Sequence, residues 1–221
     1  MYNKLSILHN LANQSTRIRM RTHRAMRMAR GRERSSCSSR ANENKENSVS
    51  FELRTEHGTL EQIAVDPRHR LWDHYVEIVA QYIETHWPEA LESTTRSAFR
   101  KQYDEELRRR IDEGGRHLIL WRRHEATVGF ADAYVTGSGR RKELNVAEFS
   151  VVESMRRNGW GRLLFQALLD VGRRAGTHRV VVEVDKPMPS NAFWQAVLGA
   201  CDASGERNVY SAPLKLGEWP A

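Results

Sequence analysis

Seven consecutive residues carry the densest chemistry in the chain: Arg156, Arg157, Asn158, Gly159, Trp160, Gly161 and Arg162. Two glycines one residue apart let a backbone come close to a ligand, because neither has a Cβ. Three arginines around them bring charge and planar donor forks that match phosphate oxygens. If a helix begins at Trp160, its first N–H groups and the positive end of its dipole point at the same place. The chemistry this combination suits is the holding of a phosphate or pyrophosphate.

The flanking sequence supplies the elements such a turn needs. Leu144–Val152 reads as a strand, with Phe149, Val151 and Val152 as strand formers. From Trp160 onward, Leu164, Ala167, Leu168 and Val171 recur at three- and four-residue spacing, the signature of one helical face. Arg173–Thr177 (RRAGT) is a stop with glycine that closes that helix. The turn is neither G-x-G-x-x-G nor a P-loop, which requires G-K-[ST].

Before the motif, Ser50–Leu60 is expected to be a first strand with imperfect alternation. Leu71–Trp87 is expected to be a helix with Trp72, Val76, Val79 and Ile83 inward, ended by Pro88. A second helix is expected over Thr95–Glu113, stopped by Gly114-Gly115. His117–Arg122 and Thr127–Val135 form a hairpin across His124-Glu125. After the motif helix, Val180–Val184 reads as a strand apolar on both faces, Ser190–Ala200 as a helix and Asn208–Pro213 as a closing strand. That order predicts an α/β fold, a mixed sheet with helices on both faces.

Charge divides the chain at about residue 48. Residues 1–50 carry 11 Lys and Arg against 3 Asp and Glu, whereas the remainder carries 24 against 25. The basic pI therefore belongs to the beginning of the chain. Residues 1–48 are read as an Arg-rich tail and linker, and 49–221 as the folded domain. Three readings of the tail stay open: a passive solvated segment, an arm for nucleic acid (through residues 17–34) or a membrane surface, and an organelle presequence. Cys37 and Cys201 make no disulfide framework, which suits a reducing compartment such as the cytoplasm. No apolar run reaches the roughly 20 residues of a membrane span. The nine histidines form no metal-ligand pattern, and no serine nucleophile elbow is present.

The Arg-x-x-Gly-x-Gly order, after a strand and opening a helix, resembles motif A of the GNAT superfamily of N-acetyltransferases. The layout over about residues 50–214 is similar to the core of that family, with sequence-specific matches confined to about 147–199. The resemblance implies acetyl-CoA as acetyl donor, its pyrophosphate cradled by residues 156–162. It also implies that the backbone of Val151 and Val152 polarises the thioester carbonyl and pairs with the pantetheine arm. Asn191 and Trp194 fall in a segment similar to the family's later Asn…Phe-Tyr…Leu-Gly stretch, although Trp194 stands where a tyrosine often serves as general acid. Many members carry a proline at the position of Glu153, another departure.

Acetyl transfer to an amine sets a proton problem. A free alkylamine has a pKa near 10.4, so only about one molecule in a thousand is neutral at pH 7. A general base is expected. Glu148 is preferred, because it alternates with Phe149 and is expected to face a cleft beside the thioester; the competing reading is a strand carboxylate paired with an arginine. Glu183, among valines, is a rival base, with Asp132 behind it. Tyr210 or water is expected to replace the missing acid. The acceptor is expected to be a small-molecule or peptide amine of unspecified identity, and a homodimer is left open. The alternative to an enzyme is a non-catalytic CoA-binding or interaction module with a nucleic-acid-binding tail.

Overall fold

A computed structural model of the chain describes residues 50–55, 58–92 and 94–214. The expected tail, 1–48, lies outside the described residues. Those residues divide into two compact units, one made of 77–103 and the other of 50–76 with 104–214.

The larger unit is organised by a seven-stranded sheet whose strands lie side by side in chain order. They are β1 (Ser50–Thr55), β2 (Gly58–Val65), β3 (Arg116–Arg123), β4 (Ala126–Thr136), β5 (Glu143–Val151), β6 (Arg179–Asp185) and β7 (Arg207–Pro213). All neighbours are antiparallel except β5 and β6, which are parallel. The helices are α1 (Trp72–His86), α2 (Arg96–Asp112), α3 (Trp160–Arg174) and α4 (Asn191–Leu198). The parallel pair is joined through α3, as a parallel connection requires.

Two expectations about strands change. The first strand is a hairpin, β1 against β2 with Ser50 opposite Ile63, so the imperfect alternation spans a chain reversal beside Gly58, whose φ is +102°. In β6 only Val180, Val182 and Val184 are buried, while Glu183 is exposed. Its second face is not covered like its first. The helix stops fall as expected: α2 ends at Asp112 before Gly114, whose φ is +84°. Thr95 is the cap of α2, its Oγ1 accepting from the N–H of Ala98 at 3.2 Å.

One sheet face packs on α3 and α4. Leu164, Phe165, Leu168 and Leu169 of α3 join Trp121, Ala131, Leu144 and Val182 in one apolar core. Each such side chain, fully buried, contributes about 1.5–3 kcal/mol. Gly129 of β4 permits the close approach: a Cβ there would lie 2.8 Å from Leu164 Cδ1 and 2.5 Å from the Ser150 carbonyl oxygen. Buried Trp121 keeps its indole N–H satisfied by donating to Gln62 Oε1 at 2.9 Å. On the opposite face, Tyr75 of α1 sets its ring edge-on to Phe130 and donates its hydroxyl to the Ala131 carbonyl at 2.9 Å.

In the smaller unit, Arg96 bonds Glu77 at 2.6 Å and Glu84 at 3.2 Å, and Arg100 reaches Glu77 at 3.1 Å. These groups are exposed, so each pair contributes at most about 1 kcal/mol.

Candidate functional site

The sheet opens between its two parallel strands. β5 and β6 pair only from Glu143 opposite Arg179 to Val146 opposite Val182. Beyond that point β5 continues against β4 alone, and β6 against β7 alone. The divergence begins at a bulge: Ala133 faces Val146 while the next residue, Asp132, faces Glu148, leaving Ala147 extra on β5. A bulge bends its strand and increases the local twist. The N–H of Val152 donates to the Val128 carbonyl at 2.9 Å, which fixes the phase of the ladder. Val151 and Phe149 therefore turn their backbone groups away from β4, toward the gap.

The predicted turn lies at the end of that gap. After Val152 and a short 3-10 turn, Glu153–Met155, the chain passes through Arg157 with φ +66° and Gly159 with φ +80° before entering α3. Left-handed backbone at Arg157 costs of order 1 kcal/mol or more, and such strain gathers at ligand-holding turns. The first intrahelical bonds come from Arg162 and Leu163, both to the Gly159 carbonyl. The N–H groups before them lie at the positive end of the helix dipole. Arg156, Arg157, Asn158, Gly159 and Arg162 are exposed. A Cβ at Gly159 would meet nothing within 4 Å, leaving open space above the turn. Residues 156–162 therefore fit a bound pyrophosphate.

Three details of the turn differ from expectation. Arg156 is partly committed, its Nε donating to the Val151 carbonyl at 2.8 Å. Trp160 puts its side chain into the core at 3% exposure, so only its backbone can serve a ligand. A Cβ on Gly161 would lie 3.0 Å from Phe193, so this glycine makes room for a ring. Phe193 stacks on Phe149, and Phe149, Phe165 and Trp194 meet edge to face. That cluster seats α4 against the start of α3.

Asn191, Trp194 and Tyr210 are each held by their surroundings. Trp194 is core, inside the aromatic cluster. Asn191 Nδ2 donates toward the carbonyls of Asp185, Lys186 and Met188 at 2.9, 3.1 and 2.9 Å. Its Oδ1 accepts from Asn208 Nδ2 at 2.8 Å and from the Tyr210 hydroxyl at 3.0 Å. This side chain is saturated by the β6–α4 connection and has nothing left for a cofactor. Tyr210 lies on the α3–α4 face of the sheet, with burial and then Cys201 pushing its hydroxyl above the usual range. A weaker acid already bonded to Asn191 is poorly placed to release a proton.

Glu148 belongs to the other face. It stands opposite Asp132, with Leu118 of β3 next in register. Asp132 is fully buried and bonded through Oδ2 to Arg116 Nη2 at 2.5 Å. Glu148 is half-buried on β5. Burial, and after it the charge of Asp132, pushes the Glu148 carboxyl up to about 8, against the opposing effect of Arg116, Arg207 and Arg110. Glu183 does not share this setting. It is exposed, so the burial that made it a rival base is absent.

The Arg116–Asp132 pair was the part of the site least apparent in the sequence. Its signal was a lone carboxylate in the apolar strand TVGFADAYV, which requires a cation nearby. Among the described residues, no group of three or more His, Cys, Asp or Glu is placed to hold a metal. No described helix is long and apolar enough to cross a membrane.

A splayed parallel pair, an anion-ready turn at its mouth and a buried carboxylate alongside define an acyltransferase architecture. The acetyltransferase (GNAT) family matches residues 79–200, more than half of the 221-residue chain, and the chain belongs to that family. Among solved structures it is similar to PaiA N-acetyltransferase from Thermoplasma acidophilum in complex with coenzyme A. That likeness has 10% identity and a TM-score of 0.53, over 70% of this chain and 98% of the other. Mycobacterium smegmatis RimJ in complex with CoA-disulfide gives 15% identity and a TM-score of 0.52, over 74% and 86%. Mutant forms of the spermidine/spermine N-acetyltransferase SpeG from Vibrio cholerae give 11% and 0.50, over 70% and 94%. At these identities the likeness is one of fold. No curated protein matches the chain.

Proposed function

We propose that this protein transfers an acetyl group from acetyl-CoA to a primary amine by direct attack in a ternary complex. The observation that carries the reading is the gap beyond Val146 and Val182, with the residue 156–162 turn at its end and Glu148 on its β5 wall. Two of the similar structures contain CoA or its disulfide, which supports the choice of donor. When bound, acetyl-CoA supplies the acetyl group as a reactive thioester.

The other requirements fall on the chain. The turn's N–H groups and Arg157 and Arg162 hold the pyrophosphate. Val151 and its neighbours offer backbone groups to the gap, a fixed dipole of the kind that stabilises charge developing on a carbonyl oxygen. Glu148, ionised in a fraction of molecules at neutral pH, takes a proton from the substrate ammonium and leaves a neutral amine. A base whose pKa lies near the working pH is the effective kind. With Trp194 in the core and Tyr210 bonded to Asn191, water remains as the proton donor on the leaving side.

The second reading, a CoA-binding module without catalysis, draws on that same absence of a tyrosine acid. Steady-state turnover of acetyl-CoA against polyamines, aminoglycosides, amino acids and lysine peptides separates the two. Turnover with any amine supports the enzyme. Tight CoA binding by calorimetry with no turnover across the panel supports the module.

A further inference from the structure

The carboxylate beside Glu148 has no task in the acetyl-transfer scheme just described, yet the fold places it with care. Asp132 has 0% exposure on a central strand, and nothing can reach it from solvent. One oxygen is bonded to Arg116, while the other, Oδ1, is buried without a hydrogen-bond partner among the described residues. Leaving a buried carboxylate oxygen unpaired is costly, and a hydrophobic residue would fill the same place in β4 at less cost. The bulge at Ala147 sets Glu148 directly opposite Asp132 on one face. The Cβ atoms of such a cross-strand pair stand about 5 Å apart.

We infer that Asp132, clamped by Arg116, acts on the reaction through Glu148, as the positioning residue that fixes the basicity of that carboxylate. The inference rests on the reading of Glu148 as the base. Two carboxylates at facing positions of one sheet face resist being ionised together, and one of them is bonded to Arg116. Burial already makes Glu148 hold its proton more tightly than a lone glutamate, and Asp132 adds to that effect. The proton taken from the ammonium goes to Glu148, which later returns it to water. An ordinary glutamate, with a pKa near 4.3, would be too weak a base for an alkylammonium. The other charges acting on Glu148 are Arg110 from α2 and Arg207 from β7, both of which favour its ionised form. Tyr134, beside Asp132 on β4, responds to Arg116, Glu183, Asp132 and Arg110 and so belongs to the same electrostatic group.

The test uses the two halves of the ion pair, read in the pH profile of kcat/KM for the full-length protein. Asp132→Asn removes a negative neighbour, so the ascending limb shifts about 1–2 pH units downward. Arg116→Gln removes a cation and leaves Asp132 in place, so the limb shifts upward. A purely structural pair would lower stability in both variants without opposite displacements, and that outcome overturns the inference. Carboxyl-carbon NMR of the wild type gives a reading that requires no variant. Glu148 should titrate well above the ordinary carboxylate range. A Glu148 that titrates near 4.5 overturns the inference even if neither variant folds. Full activity of Glu148→Gln would remove the base reading itself. Loss of activity in that variant, with no limb shift in the other two, would remove only the role of Asp132.

Discussion

Arg156 Nε donates to the carbonyl oxygen of Val151 at 2.8 Å, tying the arginine of the turn to the last residue of β5. The bond makes Arg156 part of the turn's framework, as well as part of its charge. Arg156→Lys keeps the charge but loses the planar fork that spans back to Val151. Its acetyl-CoA affinity by calorimetry should fall about tenfold, nearly as far as that of Arg156→Ala. Arg162→Lys, at an exposed position on the first turn of α3, should lose much less. Equal losses in Arg156→Lys and Arg162→Lys would show that charge alone matters.

The two glycines should fail in different ways. Gly159 has φ +80° and open space where a Cβ would go, so Gly159→Val strains the backbone and covers the proposed phosphate seat. Cofactor binding should be lost while most of the core survives. Gly161→Val instead drives into the Phe193 ring, and the first loss should be stability, by about 1–3 kcal/mol. Phe193→Leu in the same chain should recover part of that loss in thermal unfolding. No recovery would mean that Gly161 is needed for something other than ring packing.

Tyr210→Phe deletes the hydroxyl that reaches Asn191 Oδ1 at 3.0 Å. Denaturant unfolding should show a loss of about 1 kcal/mol, with kcat little changed. A fall of 100-fold or more in kcat at unchanged stability would restore Tyr210 as the general acid.

Glu148→Gln keeps the shape and removes the proton acceptor. At neutral pH kcat should fall by roughly 10²–10⁴-fold with acetyl-CoA affinity little altered. The deficit should narrow as pH approaches the amine's own pKa, where substrate arrives neutral. Stability should change in the opposite sense. The folded protein holds the Glu148 proton up to about pH 8, whereas the unfolded chain releases it near 4.5. The protein therefore loses stability as pH rises between those values, and Glu148→Gln escapes that loss. By thermal unfolding the variant should be the more stable at pH 8–9, by on the order of 1–4 kcal/mol, and equal to wild type near pH 4. A variant less stable at every pH would mark Glu148 as a structural carboxylate.

Local spacing settled much about this protein before any fold was known. The strand, the Arg156–Gly161 turn and the α3 stripe are contiguous, and their chemistry follows from φ freedom, dipole direction and helical period, which act over a few residues. The hairpin at His124-Glu125 and the stop at Gly114 are of the same kind. What Glu148, Glu183, Asn191 and Tyr210 could do was decided elsewhere. Two glutamates on neighbouring strands look alike in sequence, yet one stands half-buried opposite Asp132 and the other is exposed. The Ala147 bulge, which sets the register of Glu148, leaves no pattern in β5 alone. Proton affinity depends on the dielectric and the charges within a few ångströms, and those are assembled here from β3, β4, β7 and α2, as much as 97 residues apart between Arg110 and Arg207. Only the tertiary structure brings them together.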